Sequence, residues 1–477
     1  MPHYDIAIVF KVGMFYDIYR MLTYIYALYR LYYNETAENA EWVSACAKRC
    51  GAIGTKLLQF LISNDGFFSP ECRTKLDFVF EDNDIHAFEH TVRMYELDFG
   101  RSIYDDFDVP RSSPWSPPRS SQWSPPRPIG SGTIGQVYKL HHKHLNIDVA
   151  VKVKHPNVDN EARSFTQSLI WVLYAVEKVK AIPFSFMLKE FLYNIDLQLD
   201  YTEEARQTMI MRKNFESEPH VVIPYIYDHS QHFIIMSYHE GISYKQITDP
   251  QLKKHVSIDM YLFMISCLLN YDLIHCDLHV GNWKIALNDD GTYQFIVLDY
   301  GLTCSIGDHE LSKRVLSAMF VDDFIEIGKV MLLDWENDPR WPSVVQMAEE
   351  LSLKSCSNYC DRYTILYRTL LGDGMQLNMQ AVRMCHGISI CIQVMNLTRT
   401  NLRKILGKEG HCKEVMLCYN LDLISRINKY TALHETFADW VAEDDSNTVV
   451  YENWLEKTFG HKNRDVFIDL TLDGLVL

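Results

Sequence analysis

The sequence predicts an α+β chain in which a sheet-rich lobe is preceded by a helical extension and followed by a larger helical lobe. Three observations predict it. Residues 1–108 carry apolar side chains at three- and four-residue intervals, with few prolines or glycines before Gly66 and Pro70, which is the period of helices packed on one face. From residue 129 the period falls to two in "GQVYKL" and "DVAVKVK", the alternation of half-buried strands. Beyond about Tyr244 the helical period returns, apart from "WKIALNDDGTYQFIVLDYG", which reads as a hairpin around Asp289, Asp290 and Gly291. The expected boundaries are therefore 1–108 for the extension, 109–128 for a linker, 129–241 for the sheet lobe and 242–477 for the helical lobe.

Composition limits what such a chain does. With 477 residues, 47% of them hydrophobic, it has apolar material for more than one structural unit. Lys plus Arg number 46 against 62 Asp plus Glu, so 46 − 62 = −16, a charge that repels polyanions; nucleic acid is not an expected partner. The 12 cysteines show no zinc spacing beyond two i, i+4 pairs, Cys46/Cys50 and Cys356/Cys360, and read as reduced thiols. Lys11, Asp17, Arg20 and Arg30 interrupt any signal-peptide or membrane-spanning run near the start, and no later window holds about 18 apolar residues in a row. The expected location is intracellular, in the cytoplasm or at a membrane surface.

Within the extension, tyrosines at 16, 19, 24, 26, 29, 32 and 33 mark one helix. They suit either a packing face or a helix lying in a membrane interface, and both readings stay open. The linker contains "RSSPWSPPR" at 111–119 and "RSSQWSPPR" at 119–127, an eight-residue repeat whose paired prolines favour extended polyproline II. It reads as a spacer or tolerated insertion, with a proline-reading partner as the functional alternative.

In "RPIGSGTIGQVYK", Gly130, Gly132 and Gly135 with Val137 fit GxGxxGxV. Alone, the pattern is either a hairpin turn or a cradle for phosphate. Its companions favour the cradle. Lys152 in "VAVK" follows Gly130 by 22 residues, two strands on, where a lysine could meet the same phosphates. In "LIHCDLHVGNW", Asp277 and Asn282 stand five apart, the spacing of a kinase catalytic loop in which Asp faces the attacking hydroxyl and Asn holds a metal. Asp299 in "IVLDYGL" ends an apolar run before Tyr300 and Gly301, the position of the magnesium-binding Asp of a DFG motif. Taken singly, Lys152 is equally a solvated strand lysine, Asp277 a cap and Asp299 a turn former. In this order and context they predict a protein-kinase-like two-lobe fold that binds ATP and Mg²⁺. Asn282 and Asp299 supply the oxygen ligands that magnesium prefers. The "MSYHEG" segment is expected to take the adenine, with Met236 behind it and the backbone of Tyr238 or His239 at its edge. His279 suits either a donor to the phosphoryl group or a structural hydrogen bond.

Two features depart from ordinary protein kinases. No APE-like motif follows Asp299, and Cys276 stands where the catalytic loop usually carries Arg. From about residue 45 to 335 the chain resembles the UbiB, or aarF-domain-containing, family of atypical kinases. The resemblance rests on "GAIGTKLLQFLISNDGFFSPE", similar to a KxGQ motif through Lys56 and Gln59, on "QLDYTEEARQ", and on "HCDLHVGN" and "LDYG". It implies that the KxGQ helices cover the face a peptide would use, that Lys56 and Gln59 lie near Asp200, and that Glu204 pairs with Lys152. It further implies ATPase or small-molecule kinase activity tied to isoprenoid lipids and, by resemblance only, a mitochondrial address. Leu58 replaces the glycine of KxGQ, Gln198 replaces the first acid of ExD, and the phosphate loop is glycine-rich where many relatives are alanine-rich. The expected activity is Mg-ATP-dependent phosphoryl transfer to a small or lipid acceptor, or ATP hydrolysis. A protein serine/threonine kinase and a nucleotide-gated binding protein are the alternatives.

Overall fold

The computed structural model describes residues 12–63, 85–109, 125–177, 185–320, 323–353, 359–372 and 375–397, with a few isolated positions between 68 and 76. Most of the proline repeat and everything after residue 397 lie outside the described residues. The chain divides into two units. One comprises Met1–Ala205 with Ile226–Tyr238, the other Arg206–Tyr225 with His239–Leu477.

The first unit opens with helices α1 (Val12–Tyr33), α2 (Ala37–Arg49) and α3 (Gly51–Ser63). Thr36 starts α2 by accepting the Asn39 backbone N–H, and Lys48 and Arg49 sit in its last turn, where cations suit the helix dipole. After α4 (Phe88–Phe99) and the short α5 (Ile103–Asp106), the strands β1 (Gly130–Ser131), β2 (Gly135–His142) and β3 (Ile147–Lys154) begin the sheet. Helices α6 (Val158–Glu177), α7 (Ser185–Leu199) and α8 (Tyr201–Asn214) follow; the unit boundary falls inside α8. Then come β4 (Val221–Val222), β5 (Ile226–His229) and β6 (Phe233–Ser237). The five-stranded sheet runs β1-β2-β3-β6-β5. Its core face carries Val149, Val151 and Val153, the residues the two-residue period assigned to one face. They pack with Phe233, Ile235 and Tyr138 against Phe88, Tyr95 and Phe107 of the α4–α5 region. Full burial of each such side chain is worth about 1.5–3 kcal/mol, so this layer fixes the sheet on which Lys152 is mounted.

The second unit is built around α9 (Pro250–Asn270), whose residues from Val256 to Leu269 are all buried. A helix buried all round needs no amphipathic stripe, but it must satisfy its polar groups. Ser257 donates to the carbonyls of Lys253 and Lys254, and Asp259 accepts the Tyr293 hydroxyl. Asp249 caps the helix by accepting the Gln251 N–H, ahead of Pro250 in the first turn.

With β7 (Ile242–Ser243), β8 (Leu273–His275), β9 (Trp283–Leu287), β10 (Tyr293–Val297) and β11 (Thr303–Ser305), the second unit forms a sheet ordered β4-β10-β9-β7 and a separate β8/β11 pair. The hairpin expected around Asp289–Gly291 is present, with Gly291 at φ +82°. The expectation of helix alone beyond about Tyr244, outside that hairpin, needs correction, since β8 and β11 are also strands. Two- and three-residue strands carry no readable period, and they exist only through partners distant in sequence. The helices α10 (His309–Phe320), α11 (Phe324–Met331), α12 (Trp341–Leu353), α13 (Tyr359–Gly372) and α14 (Met379–Leu397) complete the unit.

Candidate active site

In the first unit the glycine stretch is a hairpin turn. Gly130 pairs with Val137 across β1 and β2, and the Gly132 N–H donates to the Gly135 carbonyl at 2.8 Å. The glycines of this turn are not equivalent. A Cβ on Gly135 would strike the Val153 carbonyl and the Tyr201 hydroxyl, so the fold itself demands glycine there. At Gly130 a Cβ would meet nothing within 4 Å, and at Gly132 only the Gly135 carbonyl at 3.6 Å.

The register carries the loop to the lysine. Val137 lies opposite both Gly130 and Lys152, so three expected site residues share one rung of β1, β2 and β3. Lys152 Nζ donates to both oxygens of Glu204, at 2.6 and 2.9 Å, and lies 5.1 Å from the Tyr201 ring centroid. Both side chains are largely buried, 14% and 5% exposed, so each charge depends on the other. Tyr238, just past β6, stacks under the Lys139 ammonium at 4.4 Å.

Asp200 has a role the sequence reading did not give it. Its carboxylate accepts the backbone N–H groups of Thr202 and Glu203 at 3.0 and 3.2 Å, which makes it the N-cap of α8 and so the start of the helix that carries Glu204. Nor does Gln59 go to Asp200; its Oε1 accepts the Thr133 hydroxyl at 2.8 Å and ties α3 to the tip of the glycine turn. Lys56 lies half-buried on the same helix and, among the described residues, forms no ion pair or hydrogen bond with Asp200.

The same turn is held from a second side by a histidine the sequence reading missed. His155 Nε2 lies 2.9 Å from the Gly132 carbonyl, and the His155 N–H donates to the Ile134 carbonyl at 2.8 Å. His155 Nδ1 lies 2.8 Å from His86 Nδ1, and His86 Nε2 lies 3.1 Å from the Thr91 hydroxyl. Because a carbonyl only accepts, His155 carries its proton on Nε2 and accepts at Nδ1 from His86. Burial, then the neighbouring His155 and His90, push His86 down to about 3, which keeps it neutral. No signal in the sequence links residues 86 and 155.

In the second unit, Asn282 Nδ2 donates to the Asp277 carbonyl at 2.8 Å, which turns one amide hydrogen toward the loop. The loop is anchored by His275. This buried imidazole bonds the Leu298 carbonyl through Nε2 at 3.1 Å and accepts the Asp277 N–H at Nδ1, at 3.1 Å. Burial lowers its pKa, so the neutral form with one donor and one acceptor is retained. His275 was legible, two residues before Asp277, and was overlooked. His279 Nδ1 accepts the Gly281 N–H at 3.0 Å, which leaves its Nε2 facing the Asp277 carboxylate at 3.9 Å.

Asp299 follows β10 with φ +58°, a conformation uncommon for any residue but glycine. Such backbone is costly, at about 1–3 kcal/mol, and concentrates at functional sites. Cys276 is buried against Cys304 of β11. That thiol contact, with burial, raises Cys276, while Cys304 is lowered to about 7, first by Cys276 and then by Arg383, against burial. Among the described residues no group of three His, Cys, Asp or Glu could by itself hold a metal ion.

Residues 121–328 match the ABC1 atypical kinase-like domain. Over these residues the chain is similar to the atypical kinases of the UbiB family. Its curated relatives include an AarF domain-containing protein kinase 1 of Xenopus laevis, 27% identical over 52% of this chain and 46% of that one. A probable serine/threonine-protein kinase abkB of Dictyostelium discoideum is 26% identical over 56% and 39%. A probable protein kinase UbiB of Blochmanniella pennsylvanica is 23% identical over 41% and 38%. The matches span less than half the length of each of these relatives. The ABC1 domain gives the chain its α+β, protein-kinase-like fold. No helix among the described residues is long and apolar enough to cross a membrane.

Proposed function

We propose that this UbiB-type domain binds Mg-ATP and transfers its terminal phosphoryl group to a small, isoprenoid-type lipid acceptor, or to water. The observation that carries the proposal is the Lys152–Glu204 pair, a buried cation fixed by both carboxylate oxygens one rung from Val137 and Gly130. In this reading Lys152 contacts the phosphates, the backbone around Gly130, Gly132 and Gly135 cradles them, and Tyr238 lies at the adenine. Asp277 orients the acceptor hydroxyl or water and receives its proton. Asn282 and Asp299 hold the magnesium through oxygen. Bound magnesium would neutralise charge on the phosphates, and with only two protein ligands it keeps the waters and phosphate oxygens it favours. Positioning and charge neutralisation then supply most of the rate.

A small acceptor is favoured over a peptide by the segment after Asp299. Only residues 302–308 separate Gly301 from α10, and three of them form β11. That leaves no length for a segment to hold a peptide. Gln59 supports a regulatory role for the KxGQ-like helix, since it grips the turn itself.

The test is transfer of label from γ-labelled Mg-ATP by the full chain in the presence of vesicles carrying polyprenyl phenols, alongside a generic protein substrate. Label in the lipid fraction is expected. Label in the protein substrate and none in lipid would overturn the small-acceptor reading.

A further inference from the structure

The kinase reading gives no task to two buried thiols beside its catalytic loop. Cys276 immediately precedes Asp277, and Cys304 lies in β11, shortly after Asp299. The β8/β11 ladder brings them together. It sets Ile274 opposite Cys304, and the Cys276 N–H extends the pairing past His275 by donating to the Leu302 carbonyl at 2.9 Å. Residues two apart on a strand share a face, so Cys276 and Cys304 are diagonal neighbours on one side of the ladder, where their thiols meet.

The other described cysteines do not offer the same chemistry. Burial raises Cys50 and Cys72 to about 11, and it raises Cys46, Cys267, Cys385 and Cys391 as well. Cys304 is lowered to about 7, first by the hydrogen bond from the Cys276 thiol and then, against burial, by Arg383 of α14. Near neutral pH about half of it is thiolate, the nucleophilic form.

We propose that Cys276 and Cys304 form a redox site, in which a hydroperoxide oxidises the Cys304 thiolate and Cys276 resolves the product as a disulfide. In the first step the Cys304 sulfur attacks the peroxide and the O–O bond breaks. The sulfur keeps one oxygen as a sulfenic acid, and the other leaves with the thiol's proton as an alcohol, or as water from hydrogen peroxide. In the second step the Cys276 sulfur attacks the sulfenic sulfur. An S–S bond forms, the S–O bond breaks, and the hydroxyl leaves with the Cys276 proton as water. Two thiols are oxidised and one peroxide is reduced. Burial selects the partners: with Cys276 8% and Cys304 7% exposed, a small peroxide enters where a bulky external thiol does not, so the neighbouring thiol captures the sulfenic acid.

Closure of the bond moves the loop. Diagonal neighbours in an antiparallel ladder stand about 7–8 Å apart at Cα, and a disulfide spans about 4.4–6.8 Å, so the end of β8 is drawn toward β11 by roughly 1 Å. Asp277 is the next residue, tied by its N–H to His275, and moves with it. In the kinase reading, on which this consequence alone rests, a misplacement of that size costs about 10²-fold in turnover. The pair is then a reversible brake at the position where Cys276 replaces the arginine of the usual catalytic loop.

Peptide mapping of the full chain tests the bond without reference to nucleotide. After graded treatment with hydrogen peroxide, the remaining thiols are alkylated and the chain is digested without reduction. A cross-linked peptide joining residues 276 and 304 is expected at the lowest peroxide that modifies any cysteine. It should vanish with dithiothreitol, and in Cys276→Ser it should be replaced by a Cys304 sulfenic acid that dimedone traps. Phosphate release from Mg-ATP should fall about 10²-fold on oxidation, recover with dithiothreitol, and resist peroxide in Cys304→Ser. A chain that forms the cross-link but shows no turnover before oxidation supports the redox site and counts against the kinase reading. Cys304 recovered only as thiol or sulfinic acid, at peroxide levels that oxidise other cysteines, overturns the proposal. A cross-link that forms with turnover unchanged overturns the brake.

Discussion

The two units treat their functional side chains in opposite ways. In the first, protein groups already hold them: Glu204 grips Lys152, Gln59 grips Thr133, and His155 grips the Gly132 carbonyl. In the second, bonds to the main chain fix the loop itself. Asn282 donates one amide hydrogen to the Asp277 carbonyl and His275 ties the loop to Leu298, while the Asp277 carboxylate lies 3.9 Å from His279. The contrast teaches a division of labour. In the proposed site, the cation meant for phosphate is paired with a carboxylate, whereas the loop that carries Asp277 and Asn282 is held through its main chain.

The sharpest way to break this contrast is to remove the accessible group. Asp277→Asn is expected to cut turnover by about 10²–10⁴-fold with little change in melting temperature, since no described cap or buried ion pair depends on that carboxylate. Steady-state kinetics beside a thermal melt checks it.

The reverse pattern is expected in the first unit. Glu204→Gln removes the bidentate carboxylate from the Lys152 ammonium and should cost about 3–5 kcal/mol of stability, seen as a lower denaturation midpoint. Lys152→Met/Glu204→Leu should recover much of that loss while abolishing turnover. If Glu204→Gln melted like the wild type, the pair would not be the buried dependency described here.

Asp200→Ala removes an N-cap and should cost about 1 kcal/mol. Asp200→Asn keeps an accepting oxygen and should cost only a few tenths. Equal losses in the two would point to a need for the charge itself.

A pH-dependent effect belongs to His86, which backs the turn's second anchor, His155. His86 binds its proton at about 3 in the folded chain and near 6.5 when unfolded. Between those values the unfolded chain holds more protons, so stability is full above about pH 6.5 and is lost progressively as pH falls toward 3. Melting temperatures at about pH 5 and about pH 7.5 should therefore differ less in His86→Asn than in the wild type.

Much of this was legible because it is local. The valines of β3 announced their own face, while Asp277, Asn282 and Asp299 are site candidates by spacing and belong to the proposed function. Asp200 is readable too, since an Asp ahead of "YTEEA" is a helix-start signal. What could not be read was set by pairing across long separations. The β8/β11 ladder places Cys304 beside Ile274 and brings it to Cys276, and nothing near residue 304 says so. The His86–His155 contact bridges 69 positions. The loop's glycines also looked alike in sequence, yet only Gly135 is demanded by a neighbouring backbone.

The most direct test of the central claim is phosphate release from Mg-ATP by the purified full chain, measured beside nucleotide binding in the same preparation, for the wild type and Asp277→Asn. The expected result is binding in both and turnover in the wild type alone. Binding without turnover in the wild type, with and without lipid vesicles, would contradict a phosphoryl-transfer enzyme and leave a nucleotide-gated binding protein in its place.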